Sequence, residues 1–469
     1  MSNIEFSIDD KKLEALPGET VLKAALRNGI DIPYLCYHPC LSIAGNCRIC
    51  LVRIKGRPGF HPSCNLPVAP GMEIESDCED VSAVRKNVMQ FITLNHPVDC
   101  PVCDKAGECK LQNYHFKYNG SASLSIDAKK HKPKFYDVNE RILLDAERCI
   151  LCSRCVRFTH EISKSGMLGI TERGQQSRVE HLESGAAKDD YSDNIIQNCP
   201  VGALLSRDFL YKSRVWYLEP VASVCNGCAR GCSVDVWRRK HHWKVRALGS
   251  EKNRMAYRIT AKQNDDINGR WICNKGFDLN KQINDFASRA TKPAIGGMDA
   301  TCQDALSEAR KLIFEAKKPA AIVSAHASNE ELEAFKKTLG SRVEVYVRKD
   351  YEPAAGEVVE DELLIKADKN PNSTKVEELF GKESFSAAAG HDLVLVWGDN
   401  VEYSALSGAK IIHLATQKPN GNPDVLIPIS TQFERKGSYT NFEGKVNRFE
   451  QVFDKPELVL HASDVFGRL

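Results

Sequence analysis

Residues 147–158 read Glu-Arg-Cys-Ile-Leu-Cys-Ser-Arg-Cys-Val-Arg-Phe, and residues 198–204 read Asn-Cys-Pro-Val-Gly-Ala-Leu. Three thiols with two residues between neighbours can hold three corners of a [4Fe-4S] cubane, and a distant Cys-Pro can close the fourth corner. Zinc sites more often pair their cysteines in twos. The spacing therefore predicts a cubane site with four ligands, which are Cys149, Cys152, Cys155 and Cys199.

A second set of cysteines lies nearer the N-terminus. It contains a close Cys-x2-Cys pair with one further thiol on each side, as in plant-type [2Fe-2S] sites, although its first gap is longer than in that pattern. Gly45 within the loop leaves room for backbone N–H groups to approach sulfur. A four-cysteine zinc site is the alternative. The four members are Cys36, Cys47, Cys50 and Cys64.

A histidine precedes the third set, which has the spacing His-x3-Cys-x2-Cys-x5-Cys. Three thiolates and one imidazole can fill four ligand positions on iron or on zinc, so the chemistry alone leaves both metals open. It also leaves open whether the histidine is a ligand. The members are His96, Cys100, Cys103 and Cys109.

The fourth set combines a Cys-x2-Cys-x3-Cys triplet with a cysteine far downstream. The triplet again indicates a cubane, but the wide gap before the last member leaves zinc or an empty site as alternatives. Residues 237–246, inside that gap, are rich in Arg, Lys and His, which predicts a solvated loop. The members are Cys225, Cys228, Cys232 and Cys273.

The whole composition favours metal over disulfides. Seventeen of the 18 cysteines lie between Cys36 and Cys273, at spacings typical of metal ligands. Residues 1–10 resemble neither a secretion signal nor a transit peptide, so we expect a bacterial-type cytoplasm, where thiols stay reduced. The three cysteines outside the sets are expected to be packed or exposed thiols, with the first as a competitor for Cys36; they are Cys40, Cys78 and Cys302.

The charge balance and hydropathy indicate what the chain contacts. A formal charge of +2 over 469 residues gives no electrostatic reason to expect nucleic acid or a membrane surface as partner. The longest apolar runs, such as residues 393–397, are too short to span a bilayer. We therefore expect protein partners and no direct membrane insertion.

Hydrophobic periodicity predicts a multidomain chain, α+β in its first part and α/β layered in its last. A polar stretch at 349–382 has weak periodicity and is predicted to be a mobile connection. The predicted helices are 21–28, 80–95, 305–316 and 329–339, and the predicted strands are 4–8, 51–54, 320–324, 392–397 and 411–414.

Several cluster sites with no evident nucleophile or acid–base pair beside them imply one-electron transport. In order, the motifs resemble the large iron-sulfur subunit of respiratory complex I, the bacterial-type NADH:quinone oxidoreductase. In that family the histidine motif is a [4Fe-4S] site with one His and three Cys ligands, so the resemblance implies that His96 is a ligand. The resemblance to this family is most specific in residues 32–39, 95–112, 149–158 and 198–204.

The resemblance also implies a domain order. It gives a β-grasp [2Fe-2S] ferredoxin-like domain at 1–78, a one-His three-Cys [4Fe-4S] segment at 79–118, a [4Fe-4S] ferredoxin-like domain at 119–218 and a four-cysteine [4Fe-4S] segment at 219–280. Residues 281–469 resemble a shortened molybdopterin oxidoreductase α/β domain, too short for the pterin, so we expect no molybdopterin and a scaffolding role.

By the same resemblance, the chain is an electron-relay subunit of a proton-translocating NADH dehydrogenase and is not catalytic alone. Electrons come from the flavin- and NADH-binding subunit to the [2Fe-2S] cluster, pass two [4Fe-4S] clusters, and leave toward a ferredoxin-like 8-Fe subunit and quinone. The Cys225 set matches an extra cluster off this path.

Further implied partners are a small 2Fe-2S subunit and other subunits of the peripheral arm, at the cytoplasmic side of the bacterial inner membrane. Two other functions stay open. One is a cluster subunit of an NAD-linked hydrogenase or a formate dehydrogenase, and the other is a zinc-stabilised scaffold.

Overall fold

The computed structural model describes residues 3–185, 188–243, 254–348, 356–386, 390–406 and 408–469. The chain divides into two compact units, Met1–Trp216 and Tyr217–Leu469. The helices of the described part are α1 (Val21–Arg27), α2 (Glu79–Thr93), α3 (Lys110–Tyr114), α4 (Arg154–Glu161), α5 (Asn194–Asn198), α6 (Asn274–Phe277), α7 (Leu279–Ile283), α8 (Cys302–Glu315), α9 (Asn329–Thr338), α10 (Ser373–Phe380) and α11 (Ala462–Phe466).

The strands fall into separate sheets in each unit. Those of the first unit are β1 (Ile4–Ile8), β2 (Lys11–Ala15), β3 (Leu51–Ile54), β4 (His61–Pro62), β5 (Glu73–Glu75), β6 (Tyr136–Asp137), β7 (Ile142–Leu144), β8 (Leu168–Thr171), β9 (Arg178–His181) and β10 (Leu204–Ser206). Those of the second unit are β11 (Leu218–Val224), β12 (Ser233–Arg239), β13 (Arg258–Ala261), β14 (Ala294–Ile295), β15 (Met298–Asp299), β16 (Pro319–Ser324), β17 (Glu344–Arg348), β18 (Leu393–Trp397), β19 (Lys410–Ala415), β20 (Val425–Pro428), β21 (Gly437–Thr440) and β22 (Val446–Phe449).

The first unit begins with a five-stranded sheet in the order β2-β1-β5-β3-β4, in which β1 and β5 are parallel. Helix α1 begins where the Thr20 side chain accepts a hydrogen bond from the Lys23 N–H, and it ends before Gly29, which has φ +72°. Its apolar face, including Leu22, packs against the sheet through Phe6 and other buried residues. This core supports the long loop between α1 and β3, which carries three of the candidate ligands.

Helix α2 leads from this sheet to His96. Its Val81 and Met89 are buried, and the buried Arg85 guanidinium donates to the carbonyl oxygens of Ser76 (2.8 Å) and Leu51 (3.0 Å). Satisfying a buried cation with carbonyls fixes the helix on the sheet. The rest of the unit contains short elements, including the sheet β10-β7-β6 and the hairpin β8-β9.

The second unit is built on a seven-stranded sheet in the order β15-β14-β20-β19-β18-β16-β17. The strands from β20 to β17 are mutually parallel, and β14 pairs antiparallel with β20. Every residue of β18 is buried, as expected of a central parallel strand covered on both faces. Helices α8, α9 and α11 contribute to its main hydrophobic core.

A separate antiparallel sheet, β11-β12-β13, corrects one prediction. Residues 237–239 were expected in a solvated loop but belong to β12, while 244–246 lie outside the described residues. The Trp237 indole donates to Thr260 Oγ1 (2.9 Å), and the Arg258 guanidinium lies 4.2 Å from the centre of the Trp237 ring. Cross-strand pairing of these polar and aromatic side chains stabilises a strand whose composition alone is typical of a loop.

The polar stretch at 349–382, predicted to be a mobile connection, contains ordered structure. Residues 349–355 lie outside the described residues, but 373–380 form α10 and Lys369 is 2% exposed. The Lys369 ammonium donates to the carbonyl oxygens of Val358, Val359 and Lys366. A buried ammonium that binds three carbonyls orders this segment, so the prediction of a mobile connection is wrong for its described second half.

Within the described ranges, no helix has the length and apolar character needed to cross a bilayer.

Candidate metal centres

Four cysteines of the first sheet's loops lie in two pairs. The hydrogen bond from the Cys47 side chain lowers the pKa of Cys36 to about 5, and the one from Cys64 lowers the pKa of Cys50 to about 7. The same bonds, together with burial, raise the pKa of Cys47 and Cys64. A [2Fe-2S] cluster has two irons and four thiolate ligands, so two thiol pairs match its donor set.

Backbone geometry brings N–H groups to these sulfurs. The Cys36 N–H donates to Cys47 Sγ at 3.4 Å. Gly45 (φ +63°) and Arg48 (φ +59°) both take left-handed conformations close to Cys47 in the chain, which turn the loop back on itself. N–H groups that point at sulfur stabilise a thiolate, as a metal ligand requires.

The predicted cubane set converges on one small cavity. Cys149, Cys152, Cys155 and Cys199 all line it, together with apolar side chains such as Leu144 and Val201. Burial and the mutual repulsion of the thiolates raise the pKa of Cys152 to about 11, and the pKa values of Cys149 and Cys155 are also raised. Such buried thiols are costly to ionise alone, and bound iron would compensate the charge.

The backbone around Cys152 is held in an uncommon shape. Leu151 (φ +52°) and Ser153 (φ +58°) are both left-handed although neither is glycine. The Leu151 N–H donates to Cys149 Sγ at 3.4 Å. Left-handed residues in a loop can turn successive backbone N–H groups into a concavity that binds anions. Each such non-glycine residue costs on the order of 1 kcal/mol of backbone strain, and residues strained in this way are typical of functional sites.

The histidine set is assembled by α2, a short 3-10 turn and α3. Burial lowers the pKa of His96 to about 4, so its imidazole is neutral near pH 7. Its Nδ1 is buried and, among the described residues, has no hydrogen-bond partner. Burial raises the pKa of Cys109 to about 11, and Cys103 and Cys109 lie within electrostatic range of each other. A neutral imidazole with an unused ring nitrogen can act as a metal ligand.

The fourth set is brought together despite its wide gap. Cys225, Cys228 and Cys232 lie on the loop that joins β11 to β12, and the Cys225 N–H donates to the Cys232 carbonyl oxygen at 2.8 Å. Cys273 immediately precedes α6. Burial and the neighbouring Cys228 raise the pKa of Cys273 to about 11. The structure therefore places all four residues at one locus.

Two arginines of α4 tie the loop of the Cys149 set to the loop of the Cys36 set. The Arg157 guanidinium donates to the carbonyl oxygens of Cys36 (2.5 Å) and Cys152 (3.3 Å). Arg154 is 5% exposed and donates to the carbonyl oxygens of Tyr37 and Asn198. One guanidinium thus contacts the backbones of ligand candidates from two sets. Sequence reasoning missed both arginines, since each has a partner more than 100 residues away.

A third arginine joins the loop of the Cys149 set to the loop of the His96 set. Arg148, which precedes Cys149, is 2% exposed and donates to the Asp99 carboxylate (2.7 Å), which precedes Cys100. Gly202, three residues after Cys199, packs directly on Cys103 of the His96 set. A Cβ at position 202 would lie 2.2 Å from Cys103 Sγ. The first unit therefore connects three ligand loops in sequence, and no motif marked Arg148 or Gly202 for this role.

The three cysteines outside the sets differ in their surroundings. Cys40 is exposed, and its N–H donates to His38 Nδ1 at 3.2 Å. Cys78 precedes α2, and the Cys302 thiol donates to the Leu458 carbonyl oxygen at 3.3 Å. In the described ranges, no group of three or more His, Cys, Asp or Glu side chains is arranged to hold a single metal ion. A cluster distributes its ligands over several irons, so its ligand sulfurs need not converge on one point.

Three family models match the first half of the chain. A 2Fe-2S iron-sulfur cluster binding domain matches residues 1–79, the NADH-ubiquinone oxidoreductase-G iron-sulfur binding region matches residues 85–123, and the NADH-quinone oxidoreductase subunit 3 ferredoxin-like domain matches residues 139–205. These matches confirm the predicted N-terminal [2Fe-2S] domain and the presence of [4Fe-4S] domains after it.

Curated relatives share a longer region with the chain. The G subunit of NADH-quinone oxidoreductase from Rickettsia conorii is 33% identical over 338 residues, which are 71% of this chain and 48% of that protein. The mitochondrial NADH dehydrogenase [ubiquinone] iron-sulfur protein 1 of Solanum tuberosum is 35% identical over 305 residues, 64% of this chain and 38% of that protein. The chain thus spans less than half the length of these relatives.

A solved structure of an NAD+-reducing [NiFe]-hydrogenase contains a chain 31% identical to this one, with a TM-score of 0.42 over 45% of this chain and 91% of that chain. The domain matches and the curated relatives confirm the predicted family: the chain is a homologue of the G subunit of NADH-quinone oxidoreductase and carries its 2Fe-2S and 4Fe-4S domains.

Proposed function

We propose that the chain is an electron-relay subunit of NADH-quinone oxidoreductase and does not catalyse NADH oxidation alone. Iron-sulfur clusters supply reversible one-electron redox chemistry when bound. The chain's own residues hold the clusters, exclude water from them and determine which groups surround them. The relatives' names support this activity, and the short coverage of their length makes the whole enzyme's reaction part of the proposal.

Four ligand sets belong to the proposal. One [2Fe-2S] cluster is held by Cys36, Cys47, Cys50 and Cys64. Two [4Fe-4S] clusters are held by His96, Cys100, Cys103 and Cys109 and by Cys149, Cys152, Cys155 and Cys199. A third [4Fe-4S] cluster is held by Cys225, Cys228, Cys232 and Cys273. The paired thiols of the first set and the unused His96 Nδ1 support these assignments.

The domains follow the same proposal. Residues 1–78 form the β-grasp domain, 79–118 the one-His three-Cys segment, 119–218 the [4Fe-4S] ferredoxin-like domain, 219–280 the four-cysteine segment, and 281–469 a shortened molybdopterin-oxidoreductase-like domain without pterin. The parallel sheet of the second unit supports the last assignment as far as its α/β class.

The contact of Arg157 with both Cys36 and Cys152 carries the relay proposal. A guanidinium that bonds to ligand candidates of two sets holds those sets side by side, which sequential electron transfer needs. Arg148 and Asp99 join the second set to the third in the same manner. We infer that electrons enter at the Cys36 set and pass through the Cys149 and His96 sets, while the Cys225 set lies off this route.

The partners and place of the chain are proposed from the same family. A flavin- and NADH-binding subunit would deliver electrons, and a ferredoxin-like 8-Fe subunit would receive them. A small 2Fe-2S subunit and other peripheral-arm subunits would complete the assembly. The chain would attach through them to the cytoplasmic side of the bacterial inner membrane, without contacting nucleic acid.

Metal analysis tests the proposal. Iron and acid-labile sulfide are measured on anaerobically purified protein, together with low-temperature EPR of the dithionite-reduced form. One two-iron and three four-iron clusters give about 14 iron atoms per chain. About ten would leave the relay intact and the Cys225 set empty, whereas zinc without sulfide would overturn the relay in favour of a scaffold.

A further inference from the structure

A cavity of about 390 Å³ lies in the second unit at the carboxyl ends of its parallel strands. Small-molecule sites typically measure about 300–1,000 Å³. Ser324 ends β16, Trp397 ends β18, Thr416 follows β19 and Ser430 lies just beyond β20, and all four residues line the cavity. None of the proposed cluster ligands lines it, although Asn226, the neighbour of Cys225 in the chain, does.

The cavity lies where the strand order reverses. From β16 the chain continues to β17 on one side, then crosses to β18 on the other side and proceeds to β19 and β20. At such a switch point the two following loops diverge and leave a crevice, where open parallel sheets bind their ligands. His326 and Ala327 after β16 and Asp399 after β18 lie on the two sides of this crevice.

Three arginines belong to the lining. Arg254 and Arg289 share one carboxylate, that of Glu434, at 3.2 and 2.6 Å, and Arg435 pairs with Glu331 at 2.7 Å. The Nε of each arginine is buried and has no hydrogen-bond partner among the described residues. A phosphate would therefore meet the outer guanidinium nitrogens, and Arg254, whose side chain is 34% exposed, is the most accessible of the three. Guanidinium groups bind phosphate oxygens through charge-assisted hydrogen bonds.

The remaining walls suit a ring and hydroxyl groups. Phe286, Trp397 and Phe433 line the cavity, and the half-buried Phe286 offers more surface than the largely buried Trp397 and Phe433. The Asp399 carboxylate accepts hydrogen bonds from the N–H groups of Thr416 (2.8 Å) and Gln417 (2.9 Å). A carboxylate has about four acceptor positions, so Asp399 retains capacity for a hydroxyl or a ring N–H.

We propose that this cavity binds a nucleoside phosphate, with the phosphate against Arg254, Arg289 and Arg435 and the base against Phe286 and Trp397. Aromatic surface, a carboxylate acceptor and a cationic end in one crevice match the three parts of such a molecule. The binding residues named here are not ligands of the relay clusters, so calorimetry can fail while the iron and sulfide content stays intact, and the two failures are separable.

Isothermal titration calorimetry on the cluster-loaded chain of residues 1–469 tests the proposal, with ATP, GTP and inorganic tripolyphosphate as probes. We expect at least one nucleotide to bind, and to bind more tightly than tripolyphosphate. Arg254→Gln should weaken that binding by about tenfold, since a hydrogen bond to a charged group contributes about that much. Gln282→Glu, an exposed change at the rim, should also weaken it by adding negative charge.

Arg310→Gln is the matched control, because it removes the same charge from an exposed position on α8 outside the lining. It should bind nucleotide as the unchanged protein does. The proposal fails if neither nucleotide binds at millimolar concentration or if tripolyphosphate binds as tightly as the nucleotides. It also fails if the Arg254 and Gln282 variants both retain full affinity.

Discussion

Gly202 lies so close to Cys103 that no larger residue fits. A Cβ at this position would sit 2.2 Å from Cys103 Sγ and 3.1 Å from Lys105 Cβ, far inside normal contact distance. Gly202→Ala should therefore displace Cys103 and empty the His96 set. We expect the iron content to fall by about four atoms per chain, together with loss of one [4Fe-4S] EPR signal.

Gly227→Ala is the control for this prediction. Its Cβ would lie 3.6 Å from Cys225 Sγ, an ordinary contact, so the Cys225 set should keep its iron. Full iron content and an unchanged spectrum in the Gly202 variant would show that Cys103 does not hold a metal in this geometry.

Residue types and spacing marked the candidate ligands but not the residues that organise them. The Cys-x2-Cys-x2-Cys triplet predicted that Cys199 would join its set, and all four now line one cavity. Gly202, Arg148 and Arg157 could not be predicted, because their roles depend on contacts between loops far apart in the chain. Only the three-dimensional arrangement reveals them.

Helix α4 is the element that connects two ligand loops. Arg157 on this helix places a positive charge beside the backbones of Cys36 and Cys152. A nearby cation favours the more negative, reduced state of a cluster. Arg157→Gln should therefore lower the reduction potentials of both clusters, on the order of tens of millivolts, as measured by EPR-monitored redox titration.

The matched control is Arg173→Gln, an exposed arginine of the same unit. It should leave both potentials unchanged. A purely structural role for Arg157 would loosen the loops without moving both potentials downward together, and that result would contradict the electrostatic part of the prediction.

Periodicity predicted regular elements well where they are amphipathic or fully apolar. The strand predicted at 51–54 is β3, and the helix predicted at 329–339 is α9 with one residue fewer. Strand β2 (Lys11–Ala15) was not predicted, because it pairs with β1 by its backbone while much of its sequence is charged. Residues 237–239 were not predicted as a strand either, because the contacts that stabilise them, those of Trp237 with Thr260 and Arg258, come from a neighbouring strand.

At the scale of the molecule, cluster loss should affect the two units unequally. In the first unit, Arg157 and Arg148 join three ligand loops, and the buried thiols of the Cys149 set would face one another without iron. The central sheet of the second unit has its own apolar core on α8, α9 and α11. Removing iron with acid and chelator should therefore speed amide exchange in residues 96–205 more than in 319–348 or 393–415.

Hydrogen exchange monitored by mass spectrometry measures this difference. Equal acceleration across both units would indicate that the clusters stabilise the chain as a whole. No acceleration in residues 96–205 would show that these loops hold their shape without metal.

Hydrophobic periodicity predicted a multidomain protein, α+β and then α/β, and both classes are present. The division into two units at residue 216 was not predicted from composition. The cavity of the second unit was also not predicted, since it forms from the ends of four strands that are far apart in sequence.

The most direct test of the relay is Cys152→Ala in the assembled enzyme. Cys152 lines the cavity of the central set, and its carbonyl oxygen accepts from Arg157. We predict that NADH-to-quinone electron transfer is abolished, while NADH oxidation by an artificial acceptor at the flavin-binding partner continues. Normal quinone reduction by an assembled Cys152→Ala enzyme would contradict the proposed route.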